Sequence, residues 1–310
     1  MGISPTRFLK SYSKKDFLSK YTLGKSLGSG TFGQIVEATD NFTFRSVAVK
    51  YVRRKDVEST LVVEGKKLPS EAVLLNTLEH SNIITLVDLF EFKSKFALVL
   101  ERPLSSMDVG AFVEKYGPQN DAVGSYIAQQ LLTVCDYLNE LLIFHRDIKS
   151  ENILINFYTY HIKIIDFGTA VYADKDQFVG RHGTPAFSPP EWQIGAAYRP
   201  EPTTIWSCGV VLFETLTGAL PFISEEHVVK ANLSFPDLVS RSARHIMRGM
   251  MQRKPEDRLT FEQALNHTYI TGDLPEENER MLDVSSYSRC NSYTIYENTS
   301  CSNNLSRLLE

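Results

Sequence analysis

His145-Arg146-Asp147-Ile148-Lys149-Ser150-Glu151-Asn152, followed further along by Asp166-Phe167-Gly168, decides the reading of this chain. The string sets one carboxylate, Asp147, where a substrate hydroxyl would be met. It sets an amide, Asn152, and a second carboxylate, Asp166, where magnesium would be held against phosphate. Lys149 adds a cation beside the charge that develops on a group in transfer. D-F-G alone is three common letters and reads more often as a turn after a buried strand. Placed after H-R-D-x-K-x-x-N, it gives each residue type a job in phosphoryl transfer.

Upstream, Leu27-Gly28-Ser29-Gly30-Thr31-Phe32-Gly33-Gln34-Ile35 carries G-x-G-x-x-G. Glycine lets a backbone reverse tightly and come close to phosphate oxygens. The same letters open dinucleotide-binding folds, but a helix should then follow at once. Here Gln34 to Thr39 and then Val47-Ala48-Val49-Lys50 read as strands, so the segment is expected to be a hairpin. Lys50 ends V-A-V-K on the third strand, where an ammonium can hold two phosphates if a carboxylate fixes it. Glu71, early in the next helix and in what reads as the only helix of that region, is the expected partner.

Composition agrees with an ordinary soluble globular chain: 310 residues, 43% hydrophobic and 23% charged. A formal net charge of -4, evenly spread, does not favour nucleic acid as a partner. Cys135, Cys208, Cys290 and Cys301 are scattered without metal-ligand spacing, and no apolar signal segment opens the chain, so a reducing cytoplasmic or nuclear setting is expected. Met1-Gly2-Ile3-Ser4-Pro5-Thr6 fits the M-G-x-x-x-S/T acylation pattern, with Arg7, Lys10, Lys14 and Lys15 behind it. It also reads as a plain disordered leader. Membrane contact follows only if Gly2 carries the acyl chain.

Short β-branched or aromatic runs make strands at Tyr21 to Leu27, Ile35 to Thr39, Ser46 to Val52, Ile84 to Glu91 and Phe96 to Glu101. One helix opens at Pro69-Ser70-Glu71. After Pro103 the character turns helical, with a core stripe at Ile127, Leu131, Val134, Cys135, Leu138 and Leu142. Two strands flank a turn at Asn156 to His161, and helices follow near Thr203 to Thr217, Val239 to Met251 and Phe261 to Leu265. The expected architecture is α+β and bilobal: a leader over 1–20, a sheet lobe over 21–101, a hinge over 101–105 and a helical lobe over 106–271. A Ser/Asn-rich tail, 272–310, is expected to be disordered.

Over residues 21–271 the chain resembles a eukaryotic protein kinase, and in several details the Pim family of serine/threonine kinases. Lys149 in H-R-D-I-K and Gly183-Thr184-Pro185 are similar to the serine/threonine branch. The Pim-like details are Glu101-Arg102-Pro103, Ser188-Pro189-Pro190-Glu191-Trp192, and Thr204-Ile205-Trp206-Ser207, where most kinases hold an aspartate. The resemblance implies ATP and Mg2+ as cofactors, protein Ser/Thr hydroxyls as substrates and a monomeric enzyme. It also implies a contact of Thr184 with Asp147 and a pair between Glu191 and Arg258.

Pro103 has no N–H, so at the adenine-facing hinge position one nucleotide hydrogen bond would be missing. Adenine would then rely on Leu27, Ile35, Ala48 and Leu154, and on the Glu101 carbonyl. Between Thr169 and Thr184 there is no Ser or Thr, which implies activity without an upstream kinase. Tyr172 is a poorly placed exception. Asp108 and Glu151 align with acidic positions that would pair with Arg or Lys upstream of the target hydroxyl, although a further acid expected one turn beyond Asp108 is Ala111. A pseudokinase-type scaffold is the alternative. Loss of Lys50, Asp147, Asn152 or Asp166 would have favoured it, and all four are present. A small-molecule kinase is disfavoured by the Gly183 to Trp192 string, which resembles a peptide-docking segment.

Overall fold

The computed structural model describes residues 14–30, 33–173 and 177–272. Gly2 and the tail beyond Gly272 lie outside the described residues. Among the described residues two compact units divide the chain: one comprises residues 14–79 and Ile84–Pro103, the other His80–Ile83 and residues 104–272.

In the first unit, α1 (Lys14–Lys20) leads into β1 (Tyr21–Gly30), β2 (Gly33–Asp40) and β3 (Ser46–Arg53). After β4 (Thr60–Val63), β5 (Lys66–Pro69) and α2 (Ser70–Thr77), β6 (Leu86–Glu91) and β7 (Lys95–Glu101) complete it. A five-stranded sheet runs β1-β2-β3-β7-β6 with every pairing antiparallel. Alternation splits its side chains between two faces. One face carries Val36, Ala38, Val47, Val49, Tyr51, Ala97 and Val99, which pack with Tyr21, Phe90 and Phe92 around Phe17.

That packing corrects the expectation of a flexible leader over its last residues. Phe17 is fully buried and its ring lies 5.0 to 5.7 Å from those of Tyr21, Phe90 and Phe92, which fastens α1 to the sheet. Glu71 therefore does not sit on the only helix of this unit. The β4–β5 hairpin is a second addition, closed by Glu64 and Gly65, both at positive φ.

The second unit contains β8 (Ser106–Asp108), α3 (Val109–Tyr116), α4 (Asp121–Glu140), β9 (Ile143–Phe144), β10 (Ile153–Asn156), β11 (Ile162–Ile164) and β12 (Val171–Tyr172). Beyond them come α5 (Pro190–Gln193), α6 (Pro200–Thr217), α7 (Glu225–Lys230), α8 (Arg241–Met250), α9 (Phe261–Leu265) and α10 (Thr268–Thr271). His80–Ile83 belongs here because Asn82 is buried against it. Its Nδ2 donates to Gln130 Oε1 at 3.0 Å and Ile162 O at 2.8 Å, while its carbonyl accepts from Ile164 N. The strand expected from Ile84 accordingly begins only at Leu86.

The paired helices α4 and α6 form the centre of this unit. Gly124 sits where a Cβ would fall 2.5 Å from Leu216, so the two helices meet closely. Cys135 and Cys208, far apart in sequence, meet in this packing as free buried thiols with sulfurs 3.8 Å apart.

Candidate active site

In the sheet unit, the glycine-rich stretch is the β1–β2 hairpin, with Gly28 opposite Ile35, Ser29 opposite Gln34 and Gly30 opposite Gly33. Thr31 and Phe32, at its tip, lie outside the described residues. Gly33 has φ +150°, and a Cβ there would fall 1.7 Å from the Tyr51 carbonyl oxygen, so no other residue fits without moving β3. Leu27 is exposed at the mouth of the hairpin.

Residues directly opposite in neighbouring strands share a face. The pairs Ile35–Lys50 and Glu37–Ala48 therefore put Ile35, Ala48 and Lys50 on the side of the sheet away from the Phe17 core. Lys50 Nζ donates to both carboxylate oxygens of Glu71, at 2.7 and 2.9 Å. Both side chains are buried, 7% and 6% exposed, so neither charge is stable there without the other. Pro69 and Ser70 start α2 where Glu71 falls in its first turn, the end of a helix that favours a carboxylate. Glu101 closes β7. Its N–H donates to Thr85 O and its carboxylate accepts from Thr85 N, while Pro103 is the last residue of this unit.

In the helical unit, His145 follows β9 into the interior. Asp147 N donates to its Nδ1 at 3.4 Å, so the ring proton sits on Nε2 and points to Ile165 O at 3.2 Å. Burial holds its pKa below the ordinary histidine value, although Asp147 and Asp166 pull the other way. The neutral ring packs edge-on against Phe167. Arg146 and Asp166 both adopt left-handed backbone, φ 68° and 62°. Such strain persists only where surroundings fix it. Arg146 Nε donates to Thr169 O, and Thr169 Oγ1 donates to His145 O.

Three donors converge on Asp147. Thr184 Oγ1 reaches its Oδ1 at 2.7 Å, Asn152 Nδ2 its Oδ2 at 2.9 Å, and Lys149 Nζ lies 3.0 Å from Oδ2 while also donating to Thr184 Oγ1 at 2.8 Å. Thr184 reaches Asp147 because Gly183 passes under the loop, where a Cβ would fall 2.4 Å from Arg146 O.

Asn152 and Asp166 are brought together by strand register. β10 and β11 pair Ile153 with Ile164, so Asn152 immediately precedes one arm and Ile165-Asp166 follows the other. Ile165 N donates to Asn152 O at 2.9 Å. Leu154 lies on this hairpin, opposite Asp108 of β8.

The donor set suits magnesium. Asn152 turns its NH2 toward Asp147, so its amide oxygen and the Asp166 carboxylate are the hard donors that could hold the ion. Among the described residues no group of three or more His, Cys, Asp or Glu could cage a metal. Magnesium is commonly held by one or two protein oxygens together with phosphate oxygens and water.

Asp108 caps α3, accepting from Ala111 N at 2.8 Å, so part of its role is structural. Glu151 is exposed and accepts from Ser150 Oγ at 3.3 Å. The same neighbourhood holds Glu214 on α6. Burial raises its pKa, a bond from Ser150 lowers it, and Glu151 and Asp108 raise it further, while its Oε2 is buried without a hydrogen-bond partner. Sequence reasoning missed Glu214, although a lone carboxylate after Val210-Val211-Leu212-Phe213 was a visible signal.

Glu191 and Arg258 form a bidentate pair at 2.7 and 2.6 Å, with Arg258 also donating to Pro202 O and Gln252 O and lying over the Trp206 ring. Thr204 donates to Pro200 O.

The protein kinase domain family model matches residues 21–270. The chain is 31% identical over 283 residues to the serine/threonine-protein kinase pim-2 of Danio rerio, covering 86% of this chain and 91% of that one. It is 34% identical over 256 residues to a PAS domain-containing serine/threonine-protein kinase of Mus musculus, covering 81% of this chain and 18% of the relative. With the serine/threonine-protein kinase prk-2 of Caenorhabditis elegans it shares 29% over 259 residues, 82% of this chain and 59% of the relative. The chain belongs to the protein kinase family, as an ATP-dependent serine/threonine kinase. Within that family it is Pim-like.

Proposed function

We propose that Asp147 receives the proton of the attacking Ser or Thr hydroxyl and that Lys149 stabilises charge on the phosphoryl group in transfer. In the sheet unit Lys50, fixed by Glu71, holds phosphates of ATP, with Leu27, Ile35 and Ala48 offering apolar surface to adenine and Glu101 its carbonyl; in the helical unit Leu154 offers apolar surface of its own. Asn152 and Asp166 would hold magnesium, which would supply positive charge to neutralise the phosphates. The three-donor cradle around Asp147 carries this reading: it holds the carboxylate aimed, and it turns the amide nitrogen of Asn152 toward Asp147. A radiolabel transfer assay with Mg-ATP on a degenerate peptide library tests it. A pseudokinase-type scaffold is not favoured, since each charged group that the chemistry needs is present.

The enzyme is active without phosphorylation of its activation segment. Thr184 is engaged with Asp147 and Lys149, and contacts that need no phosphate fasten the described part of the segment. Tyr172 pairs with Ile143, and Phe178 and Tyr198 exchange backbone hydrogen bonds. Trp192 Nε1 donates to His182 O, and Tyr198 OH to Gly180 O. Phe144, Trp192 and Tyr198 form a small core under it. Phosphatase-treated recombinant protein is expected to keep at least about half of its kcat/KM, whereas segment-phosphorylated kinases change by orders of magnitude. A near-complete loss would refute this.

Substrates carry Arg or Lys upstream of the target hydroxyl. Asp108, Glu151 and Glu214 face one neighbourhood, and the buried Oε2 of Glu214 would gain a partner from a guanidinium. On a peptide array, Glu151→Gln or Glu214→Gln is expected to cost about tenfold in kcat/KM for Arg-containing peptides, the loss of one charge-assisted bond. Peptides without upstream Arg should be unaffected. We infer a cytoplasmic or nuclear setting from Cys135 and Cys208, buried free thiols that suit a reducing compartment.

A further inference from the structure

We propose that the β2–β3 turn and α1 together form a surface that docks on anionic phospholipid bilayers. Phe42 and Phe44 project from this turn 73% and 82% exposed, and Leu18 on the outer side of α1 is 45% exposed. Phe44 is held in left-handed backbone, φ 58°, which a bulky aromatic adopts only under constraint. The constraint is Asp40, buried in the turn, whose carboxylate accepts from Phe42 N at 2.9 Å and Thr43 N at 3.0 Å. Its own N–H and carbonyl close the turn onto Arg45 and Phe44. A rigid turn that presents two bare phenyl rings to water has no folding rationale of its own.

The turn is bonded to the basic helix. Asn41 N donates to Lys20 O at 2.8 Å and Asn41 Nδ2 to Ser19 O at 3.0 Å, so the aromatic tip and α1 move as one piece. Arg45 is exposed on the turn itself, and Lys14 and Lys15 are exposed at the other end of α1. Of the nearby acids, Asp40 faces inward and Asp88 is bound by Lys20 at 2.6 Å and by Tyr21, which leaves Asp16 as the exposed acid on α1.

The apolar part is a pair of phenyl rings at the tip of a turn. A fluid interface accommodates such a tip, with phenyl rings at the acyl boundary and lysines among anionic headgroups. Should Gly2 be acylated, this surface is the second element that a single acyl chain needs for stable attachment.

The test is co-sedimentation of the full chain, made without an acyl group at Gly2, with phosphatidylcholine vesicles that contain or lack phosphatidylserine. Binding is expected on the anionic vesicles, at least about tenfold stronger than on neutral ones, and falling steeply at 0.5 M salt because surface attraction is screened. Phe42→Ser with Phe44→Ser, and separately Lys14→Glu with Lys15→Glu, should each weaken it about tenfold or more. Both variants should phosphorylate a soluble peptide at the parent rate, which shows that they are folded and separates this proposal from the kinase assignment. Equal sedimentation on both vesicle types, no binding by the parent, or binding unchanged in the phenylalanine variant overturns it. The salt series needs no variant and stands if one fails to fold.

Discussion

Asp147→Asn is expected to lower kcat by about three orders of magnitude, within the range that a positioned general base contributes. The substitution removes the one group proposed to receive the hydroxyl proton and changes little else in volume. It also reverses part of the hydrogen bonding. Thr184, Asn152 and Lys149 all donate to this side chain, and an amide offers one acceptor oxygen where the carboxylate offered two. Binding of Mg-ATP should survive, because Lys50, Asn152 and Asp166 remain. The decisive measurement is initial-rate phosphate transfer to a Ser peptide, beside a nucleotide-binding titration and a cooperative melting curve. A variant within tenfold of the parent rate would remove Asp147 from the chemistry.

Glu191→Ala should have the largest effect on stability, about 3–5 kcal/mol, because it strands the guanidinium of Arg258 in the interior. That side chain is 0% exposed and Glu191 8%, so water cannot replace the lost partner. For a chain of this size the loss corresponds to roughly 10 °C in melting temperature. Replacing both partners by apolar residues, Glu191→Leu with Arg258→Met, should cost less than either single change, since no charge is then left unpaired. Urea unfolding of the three variants checks the order. Equal stability of the parent and Glu191→Ala would show that the pair carries no weight in the fold.

The strands and long helices were legible because their hydrophobic periods are unambiguous: Phe96 to Leu100 is a continuous buried run, and Ile127 to Leu138 keeps helical spacing. α1 was not legible. It has seven residues and one buried side chain, Phe17, too little for a period to show. The β4–β5 hairpin was missed because Glu64-Gly65 is a weak version of the Asn-Gly or Asp-Gly turn signal, and its second strand carries Lys66 and Lys67 in place of β-branched residues.

At the candidate site, residue types in order announced Lys50, Asp147, Asn152 and Asp166, because phosphoryl transfer tolerates few substitutes. Glu214 belongs to no such string. Its interest comes from tertiary neighbours, Ser150, Glu151 and Asp108, which no local pattern encodes.

The β10–β11 hairpin works like a pair of forceps, gripping with Asn152 and Asp166 at the open end and joined at the Asn156 to His161 turn. Ile153, Ile155, Ile162 and Ile164 are all fully buried along its arms. A slip of one residue between the arms would turn every side chain to the opposite face and carry Asp166 away from Asn152. A bulkier or polar substitution in that isoleucine ladder is therefore expected to disturb the proposed metal site, although none of the four would be a ligand.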